Sequence, residues 1–453
     1  MPTRSKSLLT PLAAALVLAA FWPVLGWWWR RVWDDSDEPL GVLALIRALA
    51  IVWRDRGRLA PAAGALAVAA LCMILTRALA ADLPMLVAGL GLVLVLVLEL
   101  RLWALPGVVM LLSLALPWVA TLQFFAGYPL RLIVAAVAEK TLRLFGFEVT
   151  REGTDLWHNG LAIGVDAPCS GIRMLWFLLF AGAFLAARFR LRWMPCLLLM
   201  SVAGMMALLA NAVRATVLFF PEAGLVHWSH WTHEATGLLL FAPCLLALMV
   251  LARRWESRGR QTAPANASYE SSRPLAAFAA LSLVVAVSWA WRGESSDDHS
   301  PQEHTVSWPD TFRGLPLEPL PLSVREEHFA AGFPGALARF RCGEGEVILR
   351  RVSRATRKLH SAQDCFQAAG FTLQRLSAAP LESDGLWQVW RATRGSDPPL
   401  IVCEHIRSAG GDLILDVSAW YWRALRHPEE GPWTAITWVR REDEISASLL
   451  KSK

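Results

Sequence analysis

The sequence predicts a mainly α protein: a polytopic transmembrane helical bundle of about eight or nine spans, followed by a C-terminal extracytoplasmic α+β domain. Three observations carry this. Hydrophobic residues make up 55% of the 453-residue chain, above the usual range of soluble domains. Apolar runs on the scale of a bilayer recur through the first two thirds. After Arg292 they give way to short strand-like runs.

The apolar runs fall at 8–29, 40–53, 60–80, 83–99, 103–125, 170–187, 194–220, 234–252 and 274–291. The first follows Arg4 and Lys6 and continues to Trp29 with no small-residue cleavage site, so it reads as a membrane helix rather than a signal peptide. The second is short for a span. Residues 128–145 place Arg131, Lys140 and Arg143 opposite an apolar face, the pattern of a helix lying in the membrane interface. If the spans alternate, Arg4/Lys6, Arg54/Arg56/Arg58, Arg101, Arg188/Arg190/Arg192 and Arg253/Arg254 fall on one side, which the positive-inside rule makes cytoplasmic. The acidic WDDSDEP, residues 126–169 and PEAGLVHWSHWTHE fall on the other.

Four regions follow: a catalytic transmembrane domain over 1–254, a polar cytoplasmic linker over 255–273, one more transmembrane helix over 274–291, and an extracytoplasmic α+β domain over 292–453. The last contains EVILRRV, LWQVWRAT, LIVCEHI, DLILDVSAWYW and TAITWVRR as strand-like runs, interrupted by a helical SAQDCFQAAGF. Residues 292–453 carry 20 Lys+Arg and 22 Asp+Glu, so the chain's net charge of +6 resides in the membrane half. Topology explains that excess, and no basic and aromatic interleaving points to nucleic acid. No phosphate loop, dinucleotide fingerprint or metal motif is present, so neither cofactor nor metal is expected.

Chemistry concentrates in three motifs. DAPCSGIRML puts Cys169 at the mouth of the run 170–187, with Asp166 before it and Arg173 four residues on. LLANAVRATVLFF puts Asn211 and Arg214 three residues apart on one helix face, near the end of the next run. HWTHEATG puts His233 and Glu234 at the start of the run after that. Under the alternating topology all three motifs reach the extracytoplasmic side. A thiol becomes a strong nucleophile when a helix start or a cation stabilises its anion. An imidazole moves protons near neutral pH, and a guanidinium suits a developing oxyanion. Each also has a plain structural reading: a packing cysteine, a helix-capping histidine, an arginine paired with a carboxylate. Arg173 either adds positive charge or pairs with Asp166 or Glu234.

The order PCSGIRML, NAVR, HEATG on successive spans resembles the exosortase/archaeosortase family of membrane transpeptidases, over about residues 20–252. The resemblance implies Cys169 as nucleophile with Arg214 and His233 as its partners. DSDEPLG resembles the family's first loop. In the tail, KLHSAQDCFQAAGFTL is similar to the signature of the exosortase-associated domain through His360, Cys365 and Gly370, although SAQ replaces the expected Pro-Glu. AWYW at 419–422 fits that domain's aromatic strand. The resemblance implies exported protein substrates ending in a short motif, often Pro-Glu-Pro, then one membrane helix and a basic tail. It places the chain in a bacterial inner membrane with its active site and tail domain in the periplasm.

Two rival functions fit the same topology. A non-catalytic assembly factor for exopolysaccharide or surface-protein export would leave the thiol idle. A transporter would line a path with Arg214 and Arg173, but runs 60–75, 83–98 and 234–252 offer almost no charge for one. Three histidines at spacings of three (His227, His230, His233) suggest zinc, yet no carboxylate or cysteine stands at ligand spacing. Cys72, Cys196 and Cys244 read as packing residues; of Cys342, Cys365 and Cys403, at most one pair can bridge.

Overall fold

The computed structural model describes residues 9–33, 40–55, 63–79, 85–159, 161–164, 171–226, 228, 232–256, 273–291, 307–331, 333–380 and 385–444. The helices of the first two thirds are α1 (Leu9–Ala20), α2 (Trp22–Trp33), α3 (Leu40–Asp55), α4 (Ala63–Leu79), α5 (Met85–Glu99), α6 (Pro106–Leu114), α7 (Val119–Leu144), α8 (Ile172–Arg188), α9 (Trp193–Glu222), α10 (Thr232–Arg254) and α11 (Arg273–Trp291). Each of the nine apolar runs thus contains helix. Among the described residues three helices, α7, α9 and α10, are long and apolar enough to cross a membrane; α1 and α2, bent by 75°, make a fourth if they count as one span. Leu238, Leu239 and Leu246 on α10 and Trp53, Ile46 and Leu49 on α3 stand exposed, a costly arrangement in water and the expected one against lipid.

The run 103–125 departs from expectation. It breaks after α6, because Pro117 disfavours helix at the residue before it. Two indoles take up freed carbonyls: Trp118 Nε1 donates to Ser113 O at 2.7 Å and Trp28 Nε1 to Ala115 O at 2.7 Å. The chain then resumes as one 26-residue helix, so residues 128–145 continue α7 instead of forming a helix of their own, with Pro129 inside it.

By its contacts the chain divides into two compact units, 1–121 with 171–214 and 229–295, and 122–170 with 215–228 and 296–453. In the first, α11 lies along α1 and α4, with Phe278 and Val285 in their shared core. Helix α6 packs on α3 and α8. A Cβ at Gly107 would lie 2.2 Å from Ala187 N and 2.8 Å from Ala183 O, so only glycine permits this approach, the small-residue contact by which membrane helices pack without a hydrophobic driving force. The left-handed Arg190, just after α8, reaches Asp55 with Nη2 at 2.9 and 3.1 Å.

In the second unit, a small antiparallel sheet absent from the sequence reading follows α7: β1 (Thr150–Glu152), β2 (Asp155–His158) and β3 (Leu161–Gly164). Leu156 and Ile163 pack with Val134, Ala138 and Leu142 of α7 and with Leu218 and Phe219 at the end of α9. The C-terminal part comprises β4 (Thr311–Phe312), β5 (Leu315–Pro316), β6 (Glu318–Leu320), α12 (Val324–Ala331), β7 (Gly335–Cys342), β8 (Gly345–Val352), α13 (Ala362–Ala368), β9 (Thr372–Pro380), β10 (Leu386–Thr393), β11 (Leu400–Arg407), β12 (Leu413–Ile414), α14 (Val417–Arg426) and β13 (Trp433–Arg441). Its sheet is antiparallel throughout, in the order β6-β7-β8-β13-β11-β10-β9, with β12 on β11.

Four of the five strand-like runs are strands here. The fifth is a correction. Only Leu413 and Ile414 of DLILDVSAWYW pair, and the AWYW expected as an aromatic strand lies in α14. Asp416 decides this as N-cap, accepting from Ala419 N at 2.8 Å. Helical spacing then buries Trp420 and Ala424 together against the sheet. The expected helix is α13, started by a Ser361/Asp364 capping box.

Both faces of the sheet are covered at β11, which is buried without a break from Ile401 to Ile406, Glu404 and His405 included. Cys403 and Ile401 face Trp387, Val347 and Trp438, whereas Ile406 faces Trp420 and Trp433. Between the sheet and α13 lies a buried ion pair. Arg350 Nη2 donates to Glu404 Oε1 and, at 2.9 Å, to Thr437 Oγ1; its Nη1 donates to His360 O at 2.6 Å. Ala362 N, in the first turn of α13, donates to both Glu404 oxygens at 2.9 and 3.0 Å. Every oxygen and both terminal nitrogens of this pair are used, the condition for tolerating buried charge.

Candidate active site

Helices α8 and α9 run antiparallel. Gly182 faces Met200 and Ala203, Leu175 meets Gly204, and Asn211 arrives opposite Gly171. Gly171 is the N-cap of α8, with a φ of 79° in the left-handed region. A Cβ there would lie 2.6 Å from the Asn211 amide carbon. Position 171 therefore needs glycine twice over, for its backbone and for the space the buried Asn211 fills.

One turn along α9, Arg214 reaches toward α10. A Cβ at Gly237 would lie 3.8 Å from Arg214 Nε. Gly237 stands four residues after His233, hence one turn up the same helix face. Asn211 and Arg214 thus touch the opening of α8 and the opening turns of α10. This is the end where the sequence places Cys169, two residues before Gly171, and His233.

The structure places the other candidates less fully. Cys169 and Asp166 lie outside the described residues, as do His227 and His230 of the suggested zinc triplet. For His233 and Glu234 only the backbone is described, in the first turn of α10. Arg173 is in the first turn of α8 and is exposed; Arg214 is half-buried. One expectation is corrected: α8 begins at Ile172, not at residue 170, because left-handed Gly171 ends the chain's approach to the helix. Cys169 accordingly precedes the N-cap instead of occupying the first turn.

Gly171 and Gly237 were legible in principle. Both stand inside the motifs quoted for the cysteine and the histidine, yet neither received a role, because what they make room for sits more than 30 residues away in one case and more than 20 in the other.

The tail cysteines show another pattern. All six described cysteines are free thiols. Cys342 and Cys403 are buried in the sheet core, and burial pushes the Cys403 thiol up to about 12, which suppresses the nucleophilic thiolate. His360 rests its ring on Phe329 at 5.9 Å, and Cys365 follows on α13. A surface concavity of about 1250 Å³, lined by Arg143, Phe147, Glu148, Arg151 and Trp157, includes none of the predicted site residues.

Three successive apolar helices that bring an amide, a guanidinium and two glycines beside a cysteine and a histidine motif mark the chain as a membrane protein. Residues 27–250 match the transmembrane exosortase family, and through this segment the chain belongs to that family. No curated protein and no solved structure is similar enough to add to this.

Proposed function

We propose that the protein is a cysteine protease-transpeptidase of exosortase type, which cleaves the C-terminal sorting signal of exported proteins at the periplasmic face of the inner membrane. The observation that carries this reading is the double contact of α9: Asn211 against Gly171 on one side and Arg214 against Gly237 on the other. It supports Arg214 and the first turns of α10, where His233 stands, as neighbours of the opening of α8, just before which the sequence places Cys169. The arginine-rich ends, Arg188 to Arg192 after α8 and Arg253/Arg254 closing α10, lie at the opposite ends of these helices, which favours a periplasmic site by the positive-inside rule.

The substrate's own membrane helix would enter the bundle sideways and present its motif at that end. The Cys169 thiolate attacks the scissile carbonyl carbon, and the carbonyl electron pair moves to oxygen, where the Arg214 fork stabilises it. Collapse expels the C-terminal fragment as an amine, which takes a proton from His233 and leaves a thioester on Cys169. His233 then takes a proton from the incoming nucleophile, whose attack frees the thiol. Asn211 fixes the opening of α8, Arg173 adds positive charge to the thiol motif, and Asp166 and Glu234 are assigned the role of orienting the cations.

The test is processing of a reporter carrying motif, helix and basic tail. Cys169→Ala should abolish it, and Cys169→Ser should lower its rate by about a thousandfold or more, an alcohol being the poorer nucleophile at neutral pH. Full processing by Cys169→Ala would refute the assignment. Alkylation of Cys169 by a mild reagent at neutral pH, faster than of a buried thiol, separates an enzyme from an assembly factor with an idle cysteine.

A further inference from the structure

Helix α7 carries a proline in its interior. Pro129 has no N–H, so the carbonyl of Phe125, four residues earlier, has no partner in the helix ladder. The missing donor comes from nearly 300 residues away: Trp422 Nε1 of α14 donates to Phe125 O at 2.6 Å. One rung earlier, the Ser418 hydroxyl of α14 stands between two backbone groups of α7. It donates to Phe124 O at 2.5 Å and accepts from Tyr128 N at 3.4 Å. A side chain inserted into the ladder beside a proline is a recognised cause of helix kinking. Next along α7, buried Arg131 donates from Nη2 to Asp416 Oδ2 at 2.6 Å. The other oxygen of the same carboxylate caps α14.

Aromatic and charged groups seal the junction. Tyr421 meets Phe124 and Phe125 edge-on, at centroid distances of 5.1 and 5.3 Å. Arg357 lies over the same two rings at 5.6 and 5.1 Å. Two further charges belong to the neighbourhood, Arg375 on β9 and Asp155 on β2. Burial lowers the pKa of Arg375 and Asp155 raises it, so the carboxylate offsets the desolvation. Strand β3 also touches β9. The sheet domain therefore holds α7 near the start of residues 122–164 and the small sheet near their end.

We infer that the C-terminal sheet domain is a clamp on α7, docked by supplying from α14 the hydrogen-bond partners that Pro129 removes from that helix. Its ligand is a broken helix turn, an unpaired carbonyl flanked by two phenylalanines and an arginine, and it stays seated without its tether through α11. This inference stands apart from the proposed chemistry, since nothing in it requires a reactive thiol.

The experiment uses the full chain with a specific protease site inserted at Ser300, in the polar stretch 292–306 between α11 and the sheet domain. After cleavage in membranes, the wild-type sheet domain should remain bound; its immediate release would overturn the clamp. Asp416→Asn keeps a good N-cap but strips Arg131 of its counter-charge, and should raise the released fraction at least about tenfold. The decisive comparison pairs Trp422→Phe with Pro129→Ala, which restores the N–H for Phe125 O. Trp422→Phe should raise release about tenfold in a chain that keeps Pro129 and less than about twofold in one that carries Pro129→Ala. Equal effects in both would mean that Trp422 merely maintains the fold of α14, and would sink the inference. Both readouts are independent of Cys169, so they can be scored in Cys169→Ala protein whatever that variant does to processing.

Discussion

Arg214 in the helical unit and Arg350 in the sheet domain are both arginines drawn out of bulk water, and they are held differently. Arg350 is 3% exposed and spends its guanidinium on a carboxylate, a hydroxyl and a backbone carbonyl. Arg214 stays half-exposed at the end of the bundle, beside a glycine that leaves it room. A buried arginine whose two terminal nitrogens are both spent on internal acceptors is a structural part. Arg214, only partly buried beside the openings of two helices, is the one the proposed function assigns to the substrate. Among the described thiols, Cys403 is sealed in the sheet core in the same way.

Four measurements break or sharpen this contrast. The largest effect is expected at the structural arginine. Arg350→Met leaves Glu404 as an uncompensated buried charge and should destabilise the sheet domain by about 3–5 kcal/mol in denaturant unfolding, with much of that recovered when Glu404 is also replaced by an apolar residue. Arg214→Leu should instead cut reporter processing by about a hundredfold to a thousandfold with little change in thermal unfolding, as for loss of one oxyanion donor. Unfolding as severe as that of Arg350→Met would make Arg214 a structural residue too.

His405 gives the third. It is fully buried, with its ring centroid 3.8 Å from that of Trp387, and burial first, then Arg407, lowers its pKa to about 4. The unfolded chain takes up that proton near pH 6.5, whereas the folded one resists until about pH 4. Stability is thus complete above pH 6.5 and falls as pH drops toward 4, by roughly 3 kcal/mol. His405→Leu should flatten this acid slope while changing processing at neutral pH little. The smallest effect is at Gly171. Gly171→Ala costs about 1–2 kcal/mol in the left-handed region and crowds Asn211, so processing should fall about tenfold, with part of the loss restored by Asn211→Ala. Unchanged processing by Gly171→Ala would detach the opening of α8 from the chemistry.

Much was legible in the sequence because it is local. Apolar length marks helices, alternation marks strands, and arginine placement sorts the loops; the cysteine, arginine and histidine motifs follow from residue type and order. Residues 419–422 misled because aromatic residues fit a strand as well as an apolar helix face, and Asp416 settles the choice through one capping bond. The sheet at 150–164 was invisible because its strands are three or four residues long and gain their core from α7 and α9.

By itself, the sequence determined the helical membrane module, the sheet domain and the three motifs proposed to carry the chemistry, since each rests on patterns within about 20 residues. Only the tertiary structure decided that Gly171 and Gly237 make room for Asn211 and Arg214, and that Trp422 completes the turn broken at Pro129. Those relations join residues far apart in the chain, and a hydrogen bond or a van der Waals contact leaves no local trace of the partner it requires.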